Sequence, residues 1–414
     1  MTELFTVWPP AAAFAELASR VAAPGGVEQI ETGEALDRTL AEAVLAGETL
    51  PSFPRSTMDG YAVRASDTFG ASDASPAYVR LIGEVPMGRA ADLKLTAADA
   101  IRVSTGAMLP PGADAVVVVE DTNPCGADIE ILRAVAPAEN TIAVGEDVRA
   151  GDVALPAGHR LRAQDLGALH ALGITRVTVR RRPVVGILST GDEVVAPGTQ
   201  PALGSVRDVN AVTIGATVTR AGGEPRSFGI VGDDEDAIVA RGRVALAACD
   251  ALVLSAGSSV SARDMTARAI DRLGAPGAFV HGIALRPGKP TILGICDRKP
   301  VVGLPGNPVS ALVVAWRLVR PLVRLLAGTL ADDDGFGEDA GFEARLTAPV
   351  ASRPGREEYV PVRLTRSAAG VLEATPVYGK SSLIFTLVRS HGLLAIPFDR
   401  AGLGAGEPAR VIVP

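Results

Sequence analysis

Between Arg182 and about Gly328 the chain alternates short apolar runs with helical stretches, and this rhythm limits what it can fold into more than any other feature. Pro183-Val-Val-Gly-Ile-Leu188 is apolar at every position, as a strand buried on both faces must be. A Thr190-Gly-Asp-Glu193 loop follows, then a helix from about Val209 to Ala221. Next come a strand, Pro225 to Ile230, and a helix opened by Asp233 or Asp234 as N-cap. The unit repeats with a strand at Ala251–Ser255, a loop at Ala256–Ser261 and a helix from about Arg263 to Leu273. Short strands around Ile292 and Val301 lead through Leu304-Pro-Gly-Asn-Pro308 into a long apolar helix, Val309 to Leu326. Strands and helices of these lengths predict βαβ units, hence a mainly parallel sheet covered on both faces: a three-layer α/β domain.

The rest of the chain reads differently. Phe14, Leu17, Ala18 and Val21 recur at helical spacing after Pro9-Pro10, and Leu36, Leu40 and Val44 predict a second helix over Thr32–Ala46. From Pro51 onward, β-like runs (Tyr78–Val85, Ile101–Ser104, Ala115–Val119, Ile129–Leu132) lie between turn residues, a small β-domain inserted into a helical linker. After the acidic Asp332–Asp334, the runs Phe342–Leu346, Tyr359–Leu364, Val371–Val377 and Arg410–Val413 predict a small C-terminal β-barrel or sandwich, with Gly402–Gly406 as a turn. The expected division is a linker domain (1–50 and 143–182), an inserted β-domain (51–142), an α/β domain (183–328) and a C-terminal β-barrel (329–414). The 45 glycines and 30 prolines suit so punctuated a chain.

Composition narrows the chemistry. A net charge of −7 argues against a nucleic-acid or anionic-membrane surface, and no apolar run is long enough to predict a membrane span. The first ten residues lack a basic and an apolar segment, so no signal peptide is expected. Cys125, Cys249 and Cys296 are odd in number and far apart, which argues against a disulfide framework and fits a cytoplasmic location. His159, His170, His281 and His391 are not paired at metal-ligand spacing. P-loop, dinucleotide, GxSxG, HExxH and kinase signatures are missing, which disfavours kinase, serine hydrolase and zinc peptidase. The chemistry is left to carboxylates, backbone amides and a few cations.

In an open α/β sheet, ligands bind beyond the carboxyl ends of the strands. Two loops stand there: Thr190-Gly191-Asp192-Glu193, and Gly257-Ser258-Ser259 after the strand ending at Ser255. Their small residues let an anion approach backbone N–H groups. Carboxylates beside glycines or loops recur at Asp59, Asp147, Glu193, Asp233 and Asp264, where they suit a hard cation such as magnesium or serve simply as turn and capping residues. Arg286-Pro-Gly-Lys289-Pro sets two cations on a proline-stiffened turn suited to phosphate. Leu304-Pro305-Gly-Asn-Pro308 is a rigid entry to a helix. Thr105-Gly-Ala is either a hairpin turn or a hydroxyl-lined binding loop.

Pro51-Ser-Phe-Pro-Arg-Ser-Thr-Met-Asp-Gly-Tyr-Ala-Val63, Val103-Ser-Thr-Gly-Ala-Met-Leu-Pro-Pro-Gly-Ala-Asp-Ala-Val116, Ser189-Thr-Gly-Asp-Glu193, Arg286-Pro-Gly-Lys-Pro290 and Leu304-Pro-Gly-Asn-Pro308 occur in one order. In that order they resemble the molybdopterin molybdenumtransferase family (MoeA and the gephyrin E domain), from about Ala11 to the C-terminus. The resemblance implies a homodimer of four-domain subunits whose site lies between the α/β domain of one subunit and the β-domain region of the other. It implies the last step of molybdenum cofactor synthesis: adenylylated molybdopterin is cleaved, molybdate is inserted and AMP leaves, with Mg2+ assisting.

By motif position the resemblance implies a catalytic set of Asp59, Asp147, Glu193, Asp233 and Asp264. Thr105, Thr190, Gly191, Asp192, Ser255, Gly257, Ser259, Arg286, Lys289, Pro305, Pro308, Arg356 and Ser381 bind substrate. Glu193, Asp233 and Asp264 would organise the metal, and Asp59 and Asp147 of the second subunit would stand near molybdate. A molybdopterin adenylyltransferase and molybdoenzymes are the implied partners. The chain departs from the family at the site: Ala256 and Ser261 replace glycines, Arg286 replaces lysine, and the arginine usual after the Glu-Asn pair is missing from Asn140-Thr-Ile-Ala-Val144. Two other functions fit the same scaffold, a non-catalytic pterin-binding carrier or sensor and a purely structural protein.

Overall fold

The computed structural model describes residues 7–21, 25–256, 260–329 and 341–413, with 260–263 as backbone alone. The chain forms two compact units: residues 1–42, 157–166 and 176–414, and residues 43–156 and 167–175.

The first unit holds the expected α/β sheet. Its strands are β1 (Val184–Thr190), β2 (Glu224–Val231), β3 (Ala251–Ser255), β4 (Pro276–His281), β5 (Ile292–Cys296) and β6 (Lys299–Leu304), in the order β2-β1-β3-β6-β5-β4. β2, β1, β3 and β6 pair in parallel, while β5 runs against both neighbours. The reversal comes from a two-residue turn in which Asp297 and Arg298 take φ of 49° and 71°, the left-handed pair that a tight hairpin requires. Alternation along the strands divides the core. Val185, Ile187 and Val253 face one side, with α1 (Pro10–Arg20), α2 (Asn210–Arg220) and the helix at Pro308–Leu326. Leu188, Leu252 and Leu254 face the other, with α3 (Glu235–Ala248) and α4 (Val260–Leu273). Asp234, one of the two N-cap candidates, caps α3 by accepting the Ala237 N–H at 2.9 Å. The result is the predicted three-layer sandwich.

The C-terminal part of this unit is a closed five-stranded barrel. Its strands Glu357–Arg366, Leu372–Pro376, Phe342–Leu346, Pro408–Ile412 and Gly392–Ile396 pair in a ring. Gly392–Ile396 is the strand missing from the sequence reading, and Gly402–Leu403, read as part of a turn, pairs with Val350–Ala351. A short strand from the α/β part, Leu285–Arg286, joins the barrel alongside Glu357 and Glu358.

Two expectations need correction. Thr32–Ala46 is not a helix: Thr32–Glu34 form a single 3-10 turn, Asp37 takes φ 63°, and Leu40 bridges to Val179. The spacing of Leu36, Leu40 and Val44 fits a helix, but Leu36 is exposed while Leu40 is buried, so no common face exists to bury. The helix from Pro308 to Leu326 is also interrupted, by a π-helical turn at Ala315–Val319. Pro321 lacks an N–H and its ring would press on the Arg317 carbonyl, which the widened turn relieves.

The second unit is built on a six-stranded sheet, in the order Ala115–Val118, Gly60–Val63, Asp99–Val103, Ala77–Glu84, Asp128–Ile131, Thr122–Cys125. Each face carries its own apolar cluster. Gly60 sits where a Cβ would fall on the Val117 carbonyl oxygen of the paired strand. Gly60→Ala is therefore expected to cost at least about 2 kcal/mol by overpacking against backbone that cannot move cheaply, read as a lower urea midpoint of this unit. An unchanged midpoint would contradict the packing.

Candidate active site

The first unit contains a cleft of about 1290 Å³ between the α/β loops and the barrel wall. Among the described residues, four cations line it, Arg286, Lys289, Arg356 and Lys380, against one carboxylate, Glu358. The Arg286–Pro290 turn is held from behind. Thr291 donates its hydroxyl to the Gly288 carbonyl at 2.7 Å, and the N–H groups of Ile283 and Thr291 both donate to the Lys289 carbonyl. Gly288 has φ 132°, and a Cβ there would lie 2.5 Å from Val314, so the turn packs flush against the helix behind it. The backbone is thus fixed while the exposed Lys289 ammonium, which has no partner among the described residues, faces the cleft.

Glu358 organises the other cations, and the sequence reading did not single it out. It is 5% exposed; one oxygen forms an ion pair with Arg286 at 2.9 Å, and the other accepts Arg356 at 3.0 Å and the Ser352 hydroxyl at 2.7 Å. Strand pairing places Arg286 directly opposite Glu358, so the ion pair follows from the register. Arg356 keeps a buried Nε with no hydrogen-bond partner among the described residues. Pro305, Asn307 and Ser381 also line the cleft. Pro308 occupies the first turn of its helix, and the Ser381 carbonyl accepts the Val309 N–H at 3.0 Å. Asn307, at the N-cap position, makes no side-chain cap. Of the proposed binding residues, Arg286, Lys289, Pro305, Arg356 and Ser381 thus come together in one cleft, with Pro308 just behind it.

A second set of groups gathers at the carboxyl ends of the central strands. Thr190 is buried at the end of β1, and Gly191 turns the chain with φ 140°. A Cβ on Gly191 would meet Glu193 Oε2 at 2.6 Å. Asp192 Oδ1 accepts the Asp233 N–H at 3.0 Å. Burial, then the charges of Asp192 and Glu193, push the Asp233 carboxyl above its ordinary range. None of these three carboxylates has a cationic partner among the described residues. Asp264 lies exposed on α4. Among the described residues no three histidine, cysteine or carboxylate side chains are grouped to hold a metal, so Glu193, Asp233 and Asp264 are not a preformed three-ligand centre. Gly257 and Ser259 lie outside the described residues. Ser255 is buried, and its hydroxyl accepts the Asn210 amide at 2.8 Å.

Asp208 and Asn210 were also missed; the available signal was Asp-x-Asn at the start of an amphipathic helix facing a strand that ends in Ser-Thr. In the second unit, Asp59 Oδ1 accepts both the N–H of Thr105 (2.7 Å) and its hydroxyl (3.2 Å), joining two of the proposed residues. Asp147 is exposed in the turn after Gly145, and its N–H donates to the Leu50 carbonyl.

Three family models match in sequence: the MoeA N-terminal region (domain I and II) over residues 9–173, the "Probable molybdopterin binding domain" over 186–325, and the MoeA C-terminal region (domain IV) over 343–413. A molybdopterin molybdenumtransferase of Haemophilus influenzae is 32% identical over 391 residues, 94% of each chain. Molybdopterin molybdenumtransferase 2 of Mycobacterium tuberculosis is 35% identical over 375 residues, 89% of this chain and 90% of that one. The crystal structure of a molybdopterin biosynthesis MoeA protein from Pyrococcus horikoshii superposes with a TM-score of 0.82 at 30% identity, covering 99% of this chain and 100% of that one. No helix among the described residues is long and apolar enough to cross a membrane.

Two consequences of this geometry can be measured. Glu358→Gln keeps the shape but removes the charge that two guanidiniums share. It is expected to destabilise the protein by about 1.5–3 kcal/mol in urea unfolding. For Asp233 the folded carboxyl binds its proton more tightly than the unfolded one, whose ordinary pKa is 3.8. The group therefore lowers stability progressively as pH rises from about 4 through its raised folded pKa. Asp233→Asn should raise Tm at pH 7 in chelator-treated buffer, with the gain vanishing by about pH 4; a gain that persists there would assign the effect to something other than charge.

Proposed function

Because this chain belongs to the molybdopterin molybdenumtransferase family, we propose that it catalyses the last step of molybdenum cofactor synthesis and that its cationic cleft receives the oxyanion. In that reaction molybdate is inserted into adenylylated molybdopterin and AMP is released. The observation that carries the placement is the charge of the cleft: among the described residues, four cations against one carboxylate, with Arg356 Nε buried and unpartnered. A tetrahedral oxyanion matches this set, because guanidinium and ammonium groups give it short charge-assisted bonds. Arg286, Lys289 and Arg356 bind it, and Pro305, Pro308 and Ser381 shape the floor.

The carboxyl ends of the strands take the adenylylated end of the substrate, with Thr190, Gly191, Asp192 and Ser255 as binding groups and Gly257 and Ser259 completing them. Carboxylates and phosphates repel, and an Asp233 carboxyl raised first by burial and then by the charges of Asp192 and Glu193 fits an all-oxygen site for a hard divalent ion. Glu193 and Asp233, with Asp264 from α4, would hold Mg2+. Bound there, the ion supplies charge neutralisation for the phosphates and the leaving AMP oxygen. The protein's own contribution is to hold Asp192 by the Asp233 N–H and to keep the oxyanion cations on a pinned turn. In this reading the chain works as a cytoplasmic homodimer in which Asp59, oriented by Thr105, and Asp147 come to the site from the second copy. An adenylyltransferase supplies the substrate, and molybdoenzymes receive the product.

The test is AMP release by pure protein supplied with adenylylated molybdopterin, molybdate and Mg2+. Release is expected with the wild type. Lys289→Ala or Arg356→Ala should lower it about 10- to 100-fold at subsaturating molybdate, the loss of one charge-assisted contact. No release with both ions present would reject the enzyme, and tight pterin binding without release would favour the carrier.

A further inference from the structure

One side chain at the carboxyl edge of the sheet ties together the ends of separate strands. Asn210, the first residue of α2, is 6% exposed. Its Nδ2 donates to the Ser255 hydroxyl oxygen at 2.8 Å and to the Gly306 carbonyl at 2.9 Å. A carbonyl only accepts, so the amide is fixed with its nitrogen toward Gly306. Its Oδ1 is buried and meets no donor among the described residues. Ser255 ends β3 and precedes Ala256, which lines the cleft; Gly306 lies between Pro305 and Asn307, which line it too.

On the other side of the same helix start, Asp208 accepts the Ser189 hydroxyl at 2.6 Å and the Ala211 N–H at 3.0 Å. Ser189 is followed directly by the Thr190–Glu193 loop. The first turn of α2 is therefore a strut: Asp208 holds the carboxylate loop and Asn210 holds the cleft loop. An amide that leaves one of its two polar atoms unmet in the interior gives back part of what its two donated bonds contribute to stability. Retaining it points to what its two donated bonds position.

We propose that Asn210 is a positioning residue for the reaction: through Ser255 and Gly306 it fixes the Pro305–Asn307 loop relative to the Thr190–Glu193 loop, and so the spacing between the oxyanion and the adenylylated end of the substrate. This rests on the functional reading above. Asn210 is buried behind both loops and touches neither reacting group.

The test is steady-state AMP release with molybdate varied between pH 6 and 8.5, comparing wild type, Asn210→Asp and Asn210→Ser. In Asn210→Asp a carboxylate faces the Gly306 carbonyl. At pH 8 the KM for molybdate should rise about tenfold, the worth of one to two buried hydrogen bonds. Burial raises the pKa of the new carboxyl, and its protonated form regains one donor. The defect relative to wild type should therefore shrink as pH falls toward 6. Asn210→Ser, whose hydroxyl is too short to reach both partners, should show a defect that does not change with pH, and it carries the test if the aspartate variant fails to fold. Wild-type KM and kcat in a folded variant would overturn the role of Asn210 alone. No molybdate-dependent AMP release by the wild type would overturn the functional reading itself, and this inference with it.

Discussion

A single buried carboxylate shared by two arginines underlies the shape of the cleft. Glu358 takes Arg286 from the α/β part on one oxygen and Arg356 from the barrel on the other. Its neighbour Glu357 points the other way along the strand, where it accepts Arg317 at 2.8 Å and the Tyr359 hydroxyl at 2.9 Å. Strand alternation thus gives the pair Glu357-Glu358 two duties. One carboxylate anchors the barrel to the long helix, and the other stands in the cleft between cations that would repel one another without it. Removing water from charges is costly unless they are paired, so the buried Glu358 carboxylate is held by the two arginines it meets, while the other cations stay in contact with solvent. Among the described residues, what stays unpaired in the cleft is cationic: Lys289, Lys380 and one nitrogen of Arg356.

Charge is therefore sorted by position. Cations collect where the α/β loops meet the barrel, and carboxylates collect at the ends of β1 and β2. A substrate with an oxyanion at one end and a phosphate linkage at the other asks for this separation. Cations can meet the oxyanion directly, whereas carboxylates can approach a phosphate only with a metal between them. The buried Asp208 and Asn210 lie between the two sets, and their bonds run from the start of α2 to Ser189 on one side and to Gly306 on the other.

Much of this was legible from the residues. The α/β strands and helices were clear because runs buried on both faces and amphipathic helices leave strong, distinct periods. Thr32–Ala46 misled because three apolar residues at helical spacing carry no information about whether a face exists to receive them. Gly392–Ile396 escaped notice because a short apolar run between turns does not declare its partner strands, and the barrel closes only through it. At the site, the Arg286–Lys289 turn stood out because proline and glycine confine its backbone. Arg356 and Ser381 came from family resemblance alone. Glu358 did not stand out, since its burial depends on the register with Arg286, which sequence does not display. Asn210 did not stand out for the same reason: its partners, Ser255 and Gly306, are 45 and 96 residues away.

The account's central claim is that the cleft cations receive the oxyanion. It is tested most directly by diffraction from crystals soaked in molybdate, with data collected at the molybdenum absorption edge. The account predicts an anomalous peak in the cleft within hydrogen-bonding reach of Lys289 and Arg356. A peak seated elsewhere, with none in the cleft while calorimetry on the same protein records molybdate binding, would contradict it.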